Sequence, residues 1–84
     1  RIYNGAVDNA TGVAGILEIA GALAAGAKPR RSVLFLAVTL EESGLLGSQY
    51  YVAHPAFPLA KTVGVINIDA MNVSGRTRDV TVVG

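Results

Sequence analysis

The chain has 84 residues, of which 51% are hydrophobic and 15% are charged, with a net charge of +1 and no cysteine. Its mean hydropathy is +0.46. These values exclude intrinsic disorder, which needs low hydrophobicity and high net charge, and a disulfide-bonded scaffold. The basic residues are scattered along the chain and nearly balanced by acidic ones, so no nucleic-acid partner is expected.

The charged residues are also too few to coat an independent domain of this size. A chain this short buries only roughly 60% of its unfolded surface, and the remainder has to face water. We therefore expect residues 1–84 to be part of a larger domain. The longest apolar stretch, residues 12–27, contains Glu18 and is shorter than the about 20 apolar residues of a membrane-spanning helix. No membrane span is expected.

The first predicted element is a helix over residues 10–25, where apolar side chains recur at helical spacing. These side chains are Val13, Ile16, Leu17, Ala20 and Leu23. Asp8, Asn9 and Thr11 are candidate N-caps at its start. Gly26 and Pro29 are typical of the residues that follow a helix, so they predict its end.

The remaining elements alternate between apolar segments and one further helix. Residues 33–38, 62–68 and 79–83 are short apolar runs that predict strands, the first of them buried on both faces. A second helix is predicted over residues 44–53, ending at His54 and followed by a loop with Pro55 and Pro58. This order predicts an α/β fold with a largely parallel sheet. Helices on both faces of such a sheet must come partly from residues outside this chain.

Four of the six acidic residues stand at the ends of predicted elements. Glu41 and Glu42 follow the first strand, Asp69 ends the second, and Asp8 precedes the first helix. Open α/β sheets bind ligands at the carboxyl ends of their strands, which makes these positions candidate site residues. Each also has a structural explanation: Thr39-x-x-Glu42 matches a capping box, Asp8 could cap a helix, and Asp69 could form a turn.

Other catalytic chemistries have little support in the sequence. Cysteine is absent, and Ser48 lacks the strand–turn–helix context of a nucleophile elbow. The single histidine, His54, lies in a predicted surface loop. Neither glycine-containing loop near the start of the chain matches a phosphate-binding pattern.

Three ordered blocks carry a more specific signal. The blocks GAVDNATGVAG, VLFLAVTLEESGLLGSQYY and VGVINIDAMN resemble the zinc-dependent di-metal aminopeptidase family, which comprises bacterial leucyl aminopeptidases and glutamate carboxypeptidase-like exopeptidases. The resemblance covers essentially the whole chain. It implies a three-layer α/β/α phosphorylase/hydrolase-like sandwich with a mostly parallel mixed sheet, of which residues 1–84 would be a part incomplete at both ends. It further implies two Zn²⁺ in the complete domain.

The resemblance assigns a role to each carboxylate. Asp8 matches the residue that bridges the two zinc ions, Glu42 a ligand of one ion, and Asp69 a ligand of the other. Glu41 matches the general base, and Asn9 is a candidate support for Asp8. The family also places one histidine on each zinc, one before the first block and one after the third, and neither position lies in this chain. We therefore expect the 84-residue chain by itself to be inactive.

The implied activity is the hydrolysis of N-terminal residues from peptide substrates, with the remainder of the catalytic domain as a further partner. A carboxypeptidase, a deacylase or a glutaminyl cyclase of the same fold would use the same blocks. A non-catalytic binding relative would typically lose the carboxylates, which this chain retains. Similarity of the closing segment, GRTRDVTVVG, to secreted and periplasmic members predicts such a location.

Overall fold

The structure is a computed structural model that describes residues 2–72, 74–76 and 78. Three helical elements occur in chain order. Helix α1 spans Ala10–Ala25, helix α2 spans Leu46–Ala53, and a 3-10 helix spans Leu59–Lys61. No strand is assigned within the described ranges.

Helix α1 has the bounds that the sequence predicts. Asn9 is the N-cap, and its side-chain oxygen accepts a hydrogen bond from the Gly12 amide at 3.0 Å. At the other end the Gly26 amide donates to the Ala22 carbonyl at 3.0 Å. A Cβ atom at position 12 would overlap the Asn9 side-chain oxygen. The cap therefore depends on a glycine three residues after it.

Helix α2 begins at Leu46, two residues later than predicted. Its N-cap position is Leu45, which has a left-handed backbone (φ 61°) and makes no side-chain capping bond. The capping-box interpretation of Thr39 and Glu42 is therefore wrong, because both residues precede the helix in a turn. The helix ends at His54 as predicted, where the His54 amide donates to the Tyr50 carbonyl at 2.9 Å. The two rings stack with centroids 4.5 Å apart.

The apolar segments 33–38 and 62–68 are not assigned as strands. A strand is defined by a ladder of hydrogen bonds to a neighbouring strand, and these segments form no such ladder with each other among the described residues. The third predicted strand, residues 79–83, lies outside the described residues. The parallel sheet therefore stays a prediction.

The chain does not cover its own apolar surface. Its accessible surface is 7900 Å², whereas a compact protein of 8.6 kDa exposes about 4700 Å². Its radius of gyration is 14.9 Å, compared with about 12 Å for a compact chain of this length. Among the described residues no hydrophobic side chain is buried, and Val65 and Ile66 are 84% and 90% exposed. This agrees with the shortage of surface charge noted from the composition.

None of the described helices combines the length and the apolar character that crossing a membrane requires.

Candidate metal centre

All four predicted site residues line one open cleft of about 1250 Å³. Asp8 comes from the loop before helix α1, Glu41 and Glu42 from the turn before helix α2, and Asp69 from the segment after residue 68. No lysine, arginine or histidine is among the described residues that line the cleft. The cleft therefore concentrates negative charge in a chain whose net charge is +1.

The carboxylates are close enough to influence each other electrostatically. The pKa of Glu41 is raised above its ordinary value, mainly by the charge of Glu42, then by partial desolvation, and further by the charges of Asp69 and Asp8. Like charges disfavour the ionised form of a neighbouring acid. A bound cation would relieve this repulsion.

A single amide side chain fixes the segment of Asp69 to the loop of Asp8. The Asn9 side-chain nitrogen donates to the Ile68 carbonyl at 3.0 Å, and its side-chain oxygen accepts from the Ala70 amide at 3.1 Å. The same oxygen caps helix α1. The peptide bond between Asp8 and Asn9 is cis. Through these hydrogen bonds Asn9 joins the loop of Asp8 to the segment of Asp69.

The turn that carries Glu41 and Glu42 is held by backbone hydrogen bonds to the start of helix α2. The amides of Gly44 and Leu45 both donate to the Glu41 carbonyl, at 3.2 and 2.9 Å, and the Gly47 amide donates to the Thr39 carbonyl at 3.1 Å. A Cβ atom at position 47 would overlap the Thr39 carbonyl oxygen and lie 2.8 Å from the Thr39 nitrogen. The close approach between helix and turn therefore requires glycine.

Three non-glycine residues next to these segments have a left-handed backbone. They are Leu40 (φ 57°), Leu45 (φ 61°) and Ala70 (φ 41°). Leu40 directly precedes Glu41, and Ala70 directly follows Asp69. For L-residues this conformation costs roughly 1–2 kcal/mol, and such costs concentrate at functional sites, where the surrounding structure holds the backbone.

The donor atoms at the cleft suit a divalent cation in type, since carboxylate oxygens are zinc ligands. The set is not gathered into a closed ligand shell: within the described ranges, no three His, Cys, Asp or Glu side chains lie together closely enough to hold a metal ion. His54 stands at the end of helix α2 and does not line the cleft. The two histidine ligands that the resemblance implies stay a prediction.

Comparison with known families gives the same identification as the three sequence blocks. The profile of Peptidase family M28 matches residues 1–84. The chain belongs to peptidase family M28. The family-level resemblance predicted from the DNATG, TLEES and NIDAMN segments is thereby confirmed.

Individual relatives of this M28 chain are much longer than it is. It is 44% identical over 64 residues to "Leupeptin-inactivating enzyme 1" of Streptomyces exfoliatus, covering 74% of this chain and 15% of that protein. It is 34% identical over 73 residues to "Vacuolar membrane protease" of Candida dubliniensis, covering 86% of this chain and 8% of that protein. No solved structure matches the chain significantly. The chain thus spans less than a fifth of the length of these curated relatives.

The sequence of the M28 chain indicates the four carboxylates that line the cleft but not two residues that shape the site. Thr11 was considered only as a candidate cap, although its hydroxyl accepts from the Met71 amide at 3.0 Å. Gly47 was not singled out, although helix α2 could not approach Thr39 with a side chain there. The contact of Thr11 depends on tertiary placement across sixty residues, and that of Gly47 on a left-handed turn at leucine. Residue preferences give no signal for either.

Proposed function

We propose that the protein carrying this chain is a zinc-dependent exopeptidase that removes N-terminal residues from peptides. The observation that carries the proposal is the convergence of four carboxylates from three separate segments on one cleft without a basic side chain among its described lining residues. Membership of a peptidase family gives this cleft a matching chemistry. Two zinc ions are proposed because the resemblance assigns Asp8 as a shared ligand between them.

Each carboxylate has a proposed role. Asp8 would hold both ions, since it follows an open loop at the start of helix α1 and both its oxygens can serve as ligands. Glu42 would bind one ion and Asp69 the other. The resemblance assigns Glu41, rather than its neighbour Glu42, as the base.

Glu41 is the residue proposed to move protons. Zinc, when bound, supplies Lewis-acid polarisation of the peptide carbonyl and lowers the pKa of water. Glu41 accepts a proton from the water whose oxygen forms the new bond to the carbonyl carbon. It then delivers that proton to the nitrogen as the carbon–nitrogen bond breaks, so that the amine leaves in neutral form. Glu41 must be ionised at the start of this sequence.

The fold proposed for the complete domain is the three-layer α/β/α sandwich with a mostly parallel mixed sheet. Segments 33–38 and 62–68 would become neighbouring strands, each followed at its carboxyl end by site carboxylates. Their apolar side chains are exposed in this chain, for example Phe35 at 38% and Val63 at 74%. The remainder of the domain would cover them. Amide exchange on the full-length protein would test this, because strand pairing protects alternate or successive amides throughout both segments.

The test of the function is the substitution Glu41→Gln in the full-length protein. General-base catalysis contributes about 10²–10⁴-fold to rate, so kcat on aminoacyl-anilide and short peptide substrates should fall by this factor while bound zinc stays at two equivalents. Glu18→Gln is the matched control, since Glu18 is exposed on helix α1 and does not line the cleft. Unchanged turnover in Glu41→Gln would refute the base role.

Substrate and metal assays on the unmodified protein separate the remaining alternatives. Release of C-terminal residues would indicate a carboxypeptidase, and one zinc with cyclisation of N-terminal glutamine would indicate a glutaminyl cyclase. Cleavage of an acyl group from a blocked amine would indicate a deacylase, and zinc-free peptide binding a non-catalytic relative.

A secreted or periplasmic location is also proposed, and fractionation of the source cells would test it. One relative bears the name of a vacuolar membrane protease instead.

A further inference from the structure

The hydroxyl of Thr11 joins the two segments that carry Asp8 and Asp69. It donates to the Val7 carbonyl at 2.6 Å and accepts from the Met71 amide at 3.0 Å. Val7 directly precedes Asp8, and Met71 follows Asp69 by two residues. One oxygen atom therefore lies between backbone groups that are more than sixty residues apart in sequence and adjacent to two different carboxylates.

This arrangement is not needed to start helix α1. Asn9 already provides the cap through its bond from the Gly12 amide. Threonine also has a lower helix propensity than alanine or leucine, so the first turn gains nothing from it as a helical residue. The other described threonines, Thr39 and Thr62, form no comparable side-chain bond. The two hydrogen bonds of Thr11 therefore result from its position in the fold and are not a general property of threonine in this chain.

A second contact reinforces the same junction. The Met71 sulfur lies 2.9 Å from the point where a Cβ on Gly15 would stand, so the Met71 side chain rests on helix α1. Asn9 holds the preceding residue, Ala70, at 3.1 Å. Helix α1 thus contacts consecutive residues after Asp69 through its cap, its first-turn hydroxyl and its surface.

We propose that Thr11 is a positioning residue that sets the separation between Asp8 and Asp69. The inference rests on the proposed function, in which Asp8 and Asp69 are both ligands of the same zinc ion. A hydroxyl that donates and accepts at once fixes both partners relative to one atom. Residues that orient metal ligands typically change metal affinity about 10–100-fold when they are lost. Thr11 would act most on the ion of Asp69, whose two ligands Asp8 and Asp69 lie on the segments that it joins, and less on the ion of Glu42, which shares only Asp8.

The first test examines the contact without metal. In the zinc-free full-length protein, Thr11→Val removes the hydroxyl but keeps the branched shape, whereas Thr11→Ser keeps the hydroxyl. Hydrogen exchange of the Met71 amide should be about tenfold faster in Thr11→Val, the effect of one lost hydrogen bond, and near the unmodified rate in Thr11→Ser. Thr62→Val, the same change at an exposed position outside the cleft, should leave it unchanged. Equal Met71 protection in Thr11→Val and Thr11→Ser would overturn the contact.

The second test measures zinc release by a chelator from the loaded full-length protein. Two release phases are expected, and Asp69→Asn identifies the one that belongs to the Asp69 ion. Thr11→Val should speed release of the Asp69 ion about 10–100-fold and release of the other ion by a smaller factor, and Thr11→Ser should restore both rates. An equal shift of both phases, or no shift, would overturn the positioning role.

The two tests fail in distinguishable ways. An unmodified protein that binds no zinc would refute the proposed function, and with it the effect of Thr11 on metal affinity. Faster Met71 exchange in Thr11→Val would still support Thr11 as the residue that joins the two segments. Two intact zinc sites with unchanged release in Thr11→Val would leave the exopeptidase proposal standing and refute the role of Thr11.

Discussion

The two sides of the cleft are held in different ways. On one side, which we call the Asp8–Asp69 side (residues 5–12 and 68–71), Asn9 and Thr11 make side-chain hydrogen bonds that span 59 to 61 residues of sequence. On the other side, the Glu41–Glu42 turn (residues 39–45), the backbone bonds to helix α2 span no more than eight residues. The first side is fixed by tertiary contacts and the second by local geometry.

This difference has a consequence for how the site assembles. The separation of Asp8 and Asp69 is set by helix α1 within the described part of the chain. Among the described residues, no comparable side-chain hydrogen bond joins Glu41 or Glu42 to the Asp8–Asp69 side. Segment 33–38, which leads into the turn, has no strand partner in the described part of the chain. We therefore expect the Asp8–Asp69 side to be formed before the sheet is complete, and the turn to take its final position as the sheet forms.

The largest effect on stability is expected for Asn9→Ala. The substitution removes a helix cap, worth about 1 kcal/mol, and two further hydrogen bonds worth about 0.5–1.5 kcal/mol each. The free energy of unfolding of the full-length protein should therefore fall by about 2–4 kcal/mol. Urea denaturation followed by circular dichroism would measure it.

Asn4→Ala is the matched control for that substitution. Asn4 is exposed in the loop before helix α1, and its side chain makes no hydrogen bond with another described residue. Its loss should change the free energy of unfolding by about 0.5 kcal/mol or less, as is usual for surface positions. Similar losses in both variants would contradict the tertiary role assigned to Asn9.

Gly47→Ala should perturb the other side of the cleft. The added methyl group would overlap the Thr39 carbonyl oxygen, so helix α2 must move away from the turn at a cost of about 1–3 kcal/mol. Because the turn is held locally, amide exchange should accelerate over residues 39–47 and remain unchanged at Ala70 and Met71. Gly21→Ala, which meets no atom within 4 Å, is the control and should stabilise helix α1 slightly. Faster exchange at Met71 would show that the two sides are coupled.

The sequence predicted helix α1 with its observed bounds because every signal for it is local. Its apolar spacing, its asparagine cap and its terminal glycine lie within eighteen residues. Helix α2 begins at Leu46, two residues after the predicted start at residue 44, because the backbone is left-handed at Leu45 directly before it. Leucine has no preference for a left-handed backbone, so the sequence contains no signal for this conformation.

The family motifs indicate the four carboxylates and Asn9 as a candidate support for Asp8. They do not indicate the bonds by which Asn9 and Thr11 hold the segment of Asp69. Both residues are predicted only next to helix α1, and a contact across sixty residues has no local signal. The strands are a different case. Apolar runs such as 33–38 specify a preference for burial, while the ladder that defines a strand requires a partner segment.

Leu40→Gly should stabilise the protein, in contrast to Asn9→Ala and Gly47→Ala. Leu40 has φ 57°, where glycine has no steric penalty, so relief of backbone strain should raise the free energy of unfolding by about 1 kcal/mol. Glu18→Gly, at an exposed charged position inside helix α1, should lower it by about 0.5–1 kcal/mol. Thermal denaturation of both variants would provide the comparison. Destabilisation by Leu40→Gly would mean that the leucine side chain, rather than its backbone, holds the turn.

The smallest effect concerns the pKa of Glu41 in the zinc-free protein. Its pKa is raised, with Glu42 as the main cause and Asp69 and Asp8 as weaker ones. The folded protein therefore binds more protons than the unfolded chain between the ordinary pKa of glutamate and the raised value, and its stability falls as pH rises through that window. Glu42→Gln removes the main repulsion, so the pKa of Glu41 should decrease and this loss of stability should shrink.

Carbon-13 NMR titration of the Glu41 carboxyl group would measure that pKa directly. Asp8→Asn should lower the pKa of Glu41 less than Glu42→Gln does, because Asp8 lies across the cleft whereas Glu42 is its neighbour in the turn. Glu18→Gln should leave it unchanged. The ratio of the two shifts also measures how closely the two sides approach before zinc is present. A larger shift in Asp8→Asn than in Glu42→Gln would mean that the Glu41–Glu42 turn is already held against the Asp8–Asp69 side, contrary to the order of assembly inferred above.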